Sequence, residues 1–361
     1  MIILCEIISM DEKDCIRINS ESGEEIRKIL LDEGLLDTDY KILTTQEHLF
    51  LPLVDGIDTS SLGSLLKGYE FELGRMTFEL AFIRPKSLED ALRSTLTESE
   101  LEYLPRAYDL IGDIAVLEIH QELEHHQEAI GAAFLRIHPN FKTVLAKRSA
   151  ISGVTRVREY ELLAGIDKTS TIHTEYGCRI AVDLEKAYFS PRLLEEHNRI
   201  ASLVREGETV IDMFTGVGPF ALHIAKQCKA SVTAIDINPA AIVLLKESMS
   251  MNKLVGTIIP VTADAALYTN ANFDKSADRV IMNHPSGAEE FVFVACKALK
   301  PHGIMHYYDF IGGQNPDETV KSKLTGLVEE VGYEIEEILM TRKVRDSAPY
   351  EWQMVVDAII R

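Results

Sequence analysis

Short apolar segments alternate with amphipathic segments throughout the C-terminal half of the chain. Runs such as VIDM and VTAI have the length and β-branched content of buried strands, and residues with helical periodicity follow them. The pattern predicts strands at 210–213, 231–237, 258–263, 279–283 and 303–310, helices from Pro219, from Pro239, at 287–299 and at 318–331, and final strands at 333–344 and 351–360. This alternation predicts a doubly wound, Rossmann-like α/β sheet that is mostly parallel and ends in an antiparallel strand pair.

The residues before this region predict two smaller α+β domains. In the first we expect strands at 1–8 and 48–54, a helix at 20–33 and further strand within 65–82. After it we expect helices at 87–96, 98–104 and 122–137, and a turn into a strand at 108–120. A turn-rich connection at 162–172, a β-hairpin at 173–184 and a helix from Ser190 or Pro191 to about Arg205 then follow. We therefore predict domains at 1–85, 86–180 and 181–361. The first carries no recognisable chemistry, which favours a role in recognition or docking.

Composition is that of a soluble globular protein, with 46% hydrophobic and 26% charged residues. The sequence has no apolar run long enough to span a membrane, and its N-terminus has no basic region or cleavage site of a signal peptide. The five cysteines are scattered, without the spacing of a zinc site or a disulfide framework. We therefore predict a cytoplasmic protein with reduced thiols and no metal centre.

The charge distribution is uneven. The net charge of −20 disfavours a polyanionic partner, yet residues 136–158 contain no acid. That window holds six cations: Arg136, Lys142, Lys147, Arg148, Arg156 and Arg158. It could be a phosphate-contact surface or an ordinary solvated basic face, and the sequence alone favours neither.

The candidate binding site is built around VIDMFTGVGPF, residues 210–220. Here a predicted strand runs into a glycine turn and a helix, whose N-terminus presents free N–H groups to a ligand. We expect Gly216 and Gly218 to leave room for a ligand beside the backbone. Acidic or amide residues end the neighbouring strands, at the edge where open α/β sheets bind ligands. The predicted cofactor-binding residues are Asp212, Phe214, Gly216, Gly218, Asp236, Ile237, Asp264 and Asn283.

The form of this turn favours one cofactor. The sequence is GxG followed by proline, preceded by Asp212, and it resembles the S-adenosylmethionine (AdoMet) turn of class I methyltransferases. An acid is useful beside a cationic sulfonium, whereas it would repel the pyrophosphate of a dinucleotide. A turn that merely reverses a strand into a helix is disfavoured by the three acid-ended strands. A dehydrogenase is disfavoured by the turn and by the final antiparallel strands.

Several stretches together resemble the archaeal and eukaryotic tRNA (guanine37-N1)-methyltransferases. They are SGVTRVRE, TIHTEYGCRIAVDLEKAYFSPRL, DMFTGVGPF, AIDINPAAIVLLK, RVIMNHP, GIMHYYDF and SAPYEWQMVVD, which span about residue 150 to the C-terminus. The GVGPF turn is unlike that of the related aminocarboxypropyl transferases of the wybutosine pathway. The resemblance implies a monomeric enzyme that binds AdoMet in its C-terminal domain and a tRNA anticodon stem-loop across all three domains. It would methylate N1 of guanosine-37.

The resemblance also implies residue roles. Glu196 matches the family's general base, which removes the N1 proton, and Arg156 matches the residue that stabilises charge on guanine O6. Tyr188 and Arg192 are expected to order the loop beside the base, and Asn283 and Pro285 to hold the guanine edge. By themselves these residues could be an exposed helix glutamate, a phosphate contact and core aromatics. The remaining expected tRNA contacts are Arg136, Lys142, Lys147, Arg148 and Arg158.

One motif departs from the family pattern, which has Asn-Leu-Pro where this chain has Asn-His-Pro at 283–285. His284 leaves open a wyosine-pathway methyltransferase that acts on a tricyclic base at position 37, alone or in addition. A non-catalytic AdoMet- or RNA-binding regulator ranks last, because Glu196 and Asn283 are both present. No cysteine is placed as a nucleophile, so we expect direct methyl transfer without a covalent intermediate.

Overall fold

The structure, a computed structural model, describes residues 10–57, 59–81, 85–148 and 158–361. The predicted strand at 1–8, Arg156 and most of the SGVTRVRE stretch lie outside these ranges. The chain forms two compact units, Met1–Pro85 and Lys86–Arg361. Among the described residues, no helix is long and apolar enough to cross a membrane.

The first unit is an antiparallel sheet with two helices. Its elements are β1 (Met10–Asn19), α1 (Gly23–Asp32), β2 (Leu43–Thr44), β3 (His48–Pro52), α2 (Thr59–Leu65) and β4 (Phe71–Glu79). The strand order is β2-β3-β1-β4. Alternate residues of β1, such as Ile16 and Ile18, face Ile26 and Leu30 of α1 in a separate apolar core.

The second unit opens with a four-stranded mixed sheet. It comprises α3 (Leu88–Leu92), α4 (Glu98–Leu101), β5 (Asp109–Ile111), β6 (Ile114–Leu117), α5 (Gln127–Ile137), β7 (Thr143–Lys147) and β8 (Tyr160–Gly165). The order is β5-β6-β7-β8, with only β6 and β7 parallel. A hairpin of β9 (Ser170–Glu175) and β10 (Cys178–Asp183) follows, turning at Tyr176 and Gly177.

The remainder is the predicted doubly wound sheet. Its elements are α6 (Leu194–Leu203), β11 (Thr209–Asp212), α7 (Pro219–Gln227), β12 (Ser231–Asp236), α8 (Pro239–Met251), β13 (Thr257–Thr262), α9 (Ala265–Asn272), β14 (Ala277–Met282), α10 (Val292–Ala298), β15 (Leu299–Gly312), α11 (Pro316–Glu330), β16 (Ile335–Ala348) and β17 (Glu351–Ile360). The order is β13-β12-β11-β14-β15-β17-β16, parallel except for the pairings of β17 with β15 and β16. This confirms the predicted fold class.

Helices cover both faces of this sheet, which is why its strands read as continuous apolar runs. Val210 and Tyr308 belong to the core beside α7 and α8, whereas their neighbours Ile211 and Tyr307 belong to the core beside α10 and α11. Pro219 and Pro239 begin their helices at a first-turn position, where the missing N–H is tolerated.

Several predicted elements differ from the structure. The expected turn-rich connection at 162–172 is wrong, because its two ends belong to β8 and β9 and only the part near Gly165 (φ +92°) turns. The expected helix at 122–137 begins as a 3₁₀ helix, Gln121–His126. The helices expected at 87–96 and 98–104 are shorter in the structure, Leu88–Leu92 and Glu98–Leu101. Within the range 65–82, Leu65 ends α2, the residues up to 70 form a turn, and β4 occupies Phe71–Glu79.

Candidate active site

A cavity opens at the carboxyl ends of β11, β12 and β14, where an open α/β sheet binds its ligand. We call it the strand-end cavity; it is lined by Tyr188, Leu193, Met213, Phe214, Gly216, Asp236, Ile237, Asn238, Ala241, Asp264, Ala265, Asn283, His284, Pro285, Phe291, Arg345 and Gln353. Six of the eight predicted cofactor-binding residues are among them. Asp212 and Gly218 are not.

The two glycines of the turn serve different purposes. Gly216 (φ +54°) borders the cavity, and a Cβ there would lie 3.6 Å from the Tyr188 carbonyl oxygen. Gly218 (φ +84°) faces the protein, because a Cβ there would lie 2.2 Å from Leu245 Cδ1 on α8. Gly218 is therefore not part of the cavity wall. It makes room for α8 and supplies the left-handed backbone that starts α7.

Asp236 ends β12 and borders the cavity. Its Oδ2 accepts a hydrogen bond from the Gly216 backbone N–H (2.7 Å), and its Oδ1 accepts one from that of Asn238 (2.8 Å). Burial raises the pKa of this carboxyl, although the two backbone bonds oppose the change. Asp236 thus fixes the glycine turn while its oxygens remain beside the space where a ligand would lie.

Asp212 is completely buried behind the turn and is not among the residues that line the strand-end cavity. Its Oδ2 accepts a hydrogen bond from Thr215 Oγ1 (2.7 Å), whereas its Oδ1 has no partner among the described residues. Burial raises the pKa of Asp212 to about 7, with a smaller contribution from Asp236. A cation bound near the turn would favour the charged form of this carboxyl.

The opposite side of the cavity is aromatic. The Phe214 ring lies 4.9 Å from the His284 ring and 4.8 Å from that of Phe291, in the second case edge to face. Asp264 caps α9 by accepting a hydrogen bond from the Leu267 N–H (2.9 Å). Apolar rings with a few acceptors among them suit a flat, partly polar ligand.

A chain of hydrogen bonds links the cavity to the final hairpin. Gln353 on β17 donates to Asn283 Oδ1 (2.8 Å) and accepts from Arg345 Nε (2.7 Å) on β16. Arg345 also donates to the Tyr188 hydroxyl (3.4 Å). The sequence analysis missed Gln353 and Arg345, although the closing stretch SAPYEWQMVVD contains Gln353. Pro285 borders the cavity as predicted, and its carbonyl accepts from the Phe310 N–H (3.3 Å).

A second depression shares Tyr188 and Arg345 with the strand-end cavity. We call it the adjoining cleft; its walls include Asp109, Glu118, Lys147, Arg158, Tyr160, Tyr188, Phe189, Arg192, Phe310 and Arg345. Arg192 is fixed there by a hydrogen bond from its Nε to Asp109 Oδ1 (2.7 Å). The predicted residues Tyr188 and Arg192 therefore lie together in the adjoining cleft, whose walls also include the cations Lys147 and Arg158.

Comparison with known proteins identifies the family. The model of the TRM5/TYW2 methyltransferase domain matches residues 171–336, that of the TYW2 N-terminal domain 88–169, and that of the tRNA methyltransferase 5 N-terminal domain 15–61. The tRNA (guanine(37)-N(1))-methyltransferase Trm5b of Pyrococcus abyssi is 35% identical, over 95% of this chain and 97% of that protein. This chain belongs to the TRM5/TYW2 methyltransferase family.

Two further relatives differ in how much of this chain they match. The solved complex of aTrm5 and tRNALeu has a TM-score of 0.79 and 36% identity, covering 96% of this chain and 99% of that one. The tRNA(Phe) (4-demethylwyosine(37)-C(7)) aminocarboxypropyltransferase of Pyrococcus horikoshii is 33% identical, over 76% of this chain and 96% of that protein. Similarity to the methyltransferase therefore covers more of this chain than similarity to the aminocarboxypropyl transferase.

Glu196, the family's expected base, is buried in α6 and is 1% exposed, so it is not an ordinary surface glutamate. Its Oε1 accepts from the Tyr308 hydroxyl (2.6 Å) and Arg199 (2.6 Å), and its Oε2 accepts from Arg199 (2.9 Å) and pairs with Arg342 (2.9 Å). Glu196 is not among the described residues that line the strand-end cavity or the adjoining cleft.

This carboxylate belongs to a longer buried ionic network. Arg199 donates a hydrogen bond to Asp357 (2.6 Å), and Asp357 is hydrogen-bonded to His306 Nδ1 (2.5 Å). His306 Nε2 is in turn hydrogen-bonded to Arg279 (2.8 Å). Burial of charge is costly unless every partner is satisfied, and here the chain of partners supplies that compensation. The network fixes α6 against β15 and β17.

The basic window does not form an acid-free surface, because acids from other segments reach it. Lys147 pairs with Asp109 (2.9 Å), Lys142 pairs with Asp113 (3.4 Å), and Arg148 pairs with Glu161. Arg136 is exposed and donates to the Ala91 carbonyl (3.1 Å). Sequence spacing could not reveal these acids, since they are contributed by β5, β8 and the turn before β6. Only Lys147 and Arg158 of the described cations in the window border the adjoining cleft.

Proposed function

We propose that this protein transfers the methyl group of AdoMet to N1 of guanosine-37 in tRNA, giving 1-methylguanosine. The observation that carries the proposal is the match to Trm5b over 95% of the chain, including the N-terminal residues 15–61. The aminocarboxypropyl transferase, in contrast, matches only 76% of the chain although almost all of that protein is aligned. Methyl transfer to guanine is therefore better supported than aminocarboxypropyl transfer.

The strand-end cavity fits AdoMet. In the proposed complex, Asp236 would accept the ribose hydroxyls, Phe214 and Ile237 would pack on the adenine, and Asp264 would accept its amino group; all four line the cavity. A cationic ligand at the turn would favour the charged form of Asp212, whose Oδ1 has no partner among the described residues, and would gain from that charge. AdoMet supplies an electrophilic methyl group on a sulfonium. The protein would hold the acceptor nitrogen in line with that methyl.

The acceptor must lose a proton, because N1 of guanine is protonated at neutral pH. By the family resemblance, we propose that Glu196 accepts this proton and that Arg156 stabilises the negative charge that develops on O6. Asn283 and Pro285 would hold the guanine edge, with Gln353 fixing the Asn283 amide by its hydrogen bond. Glu196 would accept the N1 proton, and the N1–H electron pair would then form the bond to the methyl carbon. AdoMet would supply that methyl group and leave as the neutral thioether S-adenosylhomocysteine, whose sulfur keeps the carbon–sulfur electron pair.

Glu196 can take this proton only if one of its present partners leaves. Arg342 is the most exposed of them, with 37% of its side chain accessible against 16% for Arg199, and its Nε has no partner among the described residues. We propose that substrate binding draws Arg342 of β16 away from Glu196 and opens the carboxylate toward the base. Arg199 and Tyr308 would then keep Glu196 oriented.

The tRNA would enter along the adjoining cleft, where Arg158, Arg192 and Lys147 lie beside Tyr188. Arg136, Lys142 and Arg148 would contact phosphates farther out after exchanging their present partners, which carries an electrostatic cost. We further propose a monomer in the cytoplasm. The four cysteines in the described part of the chain are free thiols, which agrees with a reducing compartment.

The test uses purified protein, labelled AdoMet and two unmodified tRNA transcripts that carry guanosine or adenosine at position 37, followed by nucleoside analysis. Label in 1-methylguanosine from the guanosine transcript alone is the expected result. A third transcript carrying the tricyclic wyosine precursor tests the alternative left open by His284, which borders the cavity. Label only in that third transcript would overturn the proposal, and His284→Leu would then be the first variant to examine.

A further inference from the structure

Two histidines and a glutamate meet in the interior of the second unit. Glu175 ends β9, His197 lies in α6 and His223 lies in α7, and all three are 1% exposed or less. His197 Nδ1 is 2.8 Å from Glu175 Oε2, and His223 Nε2 is 3.3 Å from the same oxygen. One atom from each residue can be chosen so that all three lie within 4.8 Å of one another.

The polar atoms of this group are incompletely satisfied. Neither ring nitrogen of His223 has a hydrogen-bond partner among the described residues, although the side chain is fully buried. Glu175 Oε1 also lacks such a partner. Buried polar groups are nearly always paired, because leaving one unpaired costs about 1–3 kcal/mol. A partner that accepts an electron pair from one His223 nitrogen and from Glu175 would satisfy part of this need.

We propose that Glu175, His197 and His223 bind a divalent transition-metal ion, Zn²⁺ in particular. Two imidazoles and one carboxylate form a common zinc ligand set, which leaves a fourth position for water. Ligands about 2.0–2.1 Å from a tetrahedral ion lie about 3.3 Å apart. The separation between His223 Nε2 and Glu175 Oε2 is 3.3 Å. The separation between His197 Nδ1 and the same oxygen is 2.8 Å, so this pair would move apart by about 0.5 Å on binding the ion.

A fourth residue fits the outer shell of this site. The Gly112 backbone N–H donates to His173 Nδ1 (3.1 Å), so a neutral His173 carries its proton on Nε2. That Nε2 lies 3.6 Å from Glu175 Oε1, the oxygen that lacks a hydrogen-bond partner. A modest closure would let His173 donate to the ligating carboxylate, as outer-shell groups commonly do.

The ion would have a structural role. Its three ligands join the β9–β10 hairpin to α6 and α7, and none of them lines the strand-end cavity or the adjoining cleft among the described residues. The sequence gives no sign of the site, because the ligands are far apart along the chain and come from three elements. The proposal is independent of the tRNA substrate.

The test measures metal in the full-length protein. After dialysis against metal-free buffer, elemental analysis should find about one Zn²⁺ per chain. Removing it with a strong chelator should lower the midpoint of thermal unfolding, and adding Zn²⁺ back should restore it. Co²⁺ in the emptied protein should give the visible absorption of a tetrahedral site.

Two variants locate the ion. His223→Gln should lose the Co²⁺ band and weaken Zn²⁺ binding by at least about tenfold. The control is His125→Gln/His126→Gln, which removes the more exposed histidines of a second group with Glu100 and should leave the metal content unchanged. AdoMet binding by each variant checks that it has folded.

Three outcomes would overturn the proposal. They are equal Zn²⁺ affinity in wild type and in a folded His223→Gln protein, loss of the metal only in the His125→Gln/His126→Gln control, and less than about a tenth of an equivalent in the wild type at micromolar free Zn²⁺. The last measurement needs no variant, so it decides the matter even if His223→Gln does not fold. Without an ion, the three residues would be a buried cluster held by the Glu175–His197 hydrogen bond.

Discussion

At the scale of single residues, Glu196 is the candidate general base, and three neighbouring side chains bind its carboxylate. If it accepts the N1 proton, Glu196→Gln should slow single-turnover methylation by about a hundredfold or more, while AdoMet and tRNA affinities change little. The neighbouring Glu195→Gln is the matched control, since Glu195 is exposed on the same helix turn. Rapid-quench kinetics at several pH values would measure both.

A normal rate for Glu196→Gln would remove the assignment. A slow rate whose pH profile keeps the wild-type shape would instead indicate that Glu196 positions Arg199 and Arg342 without taking the proton. Thermal unfolding of each variant separates either result from loss of the buried network.

Asp212 provides a second test at this scale, through pH. Its folded pKa of about 7 lies above the usual 3.8, so folding favours the neutral form. Stability from this group is complete below about pH 4 and is lost as pH rises through about 7. Asp212→Asn stays neutral, so its stability relative to wild type should increase between pH 5 and pH 8. The full shift corresponds to at most about 4 kcal/mol. Denaturant unfolding without AdoMet measures it, and an equal difference at both pH values would contradict the expectation.

The sequence placed acidic residues at the strand ends but did not show which way each side chain faces. Asp236, Asp264 and Asn283 border the cavity because strand ends of a parallel sheet share one edge. Asp212 follows the same rule, yet its side chain is buried, since both faces of β11 are covered. Periodicity cannot show this, because a strand buried on both faces has no polar side.

At the scale of elements, the glycine turn should depend on α8 as much as on a ligand. Gly218→Ala places a methyl group 2.2 Å from Leu245 Cδ1 at a φ of +84°, so it should cost about 1–3 kcal/mol and weaken AdoMet binding. The double variant Gly218→Ala/Leu245→Ala relieves the clash but not the strained φ. It should therefore show a favourable coupling energy in a double-mutant cycle of unfolding free energies.

The comparison variant is Gly216→Ala, whose new methyl group has its nearest described neighbour at 3.6 Å. It should cost less stability than Gly218→Ala while affecting the cavity directly. If Gly216→Ala were the more destabilising of the two, contact with α8 would not be the reason for glycine at 218.

Most elements of the C-terminal half were predictable, because proline marks the start of helices such as those at Pro219 and Pro239. Helix α9 was not predicted, since no proline or glycine separates it from β13 or β14. The strands within residues 162–172 were not predicted, because Gly165 and the polar residues after it suggest a loop. The strands β8 and β9 on either side form through pairing with β7 and β10, which local sequence does not contain. Gln353 and Arg345 were missed for the same reason, because their hydrogen bonds depend on the pairing of β16 with β17 and on the contact of β17 with Asn283.

At the scale of the whole molecule, the division at Pro85 predicts that the second unit is self-sufficient. Three apolar clusters lie entirely within residues 86–361, and the fourth lies within the first unit. A fragment of residues 86–361 should therefore fold and bind AdoMet with the affinity of the full chain. Its methylation of tRNA should be slower, chiefly through a higher KM, if the first unit serves docking.

Calorimetric titration with AdoMet and steady-state kinetics with a full tRNA transcript would measure the two effects separately. A minimal anticodon stem-loop supplies the control, since removing the first unit should matter less for a substrate that offers little beyond position 37. Loss of AdoMet binding by a folded fragment would mean that the first unit helps to form the strand-end cavity. Equal kinetics on full tRNA would mean that it does not dock tRNA, and its sequence match at residues 15–61 would then require a different explanation.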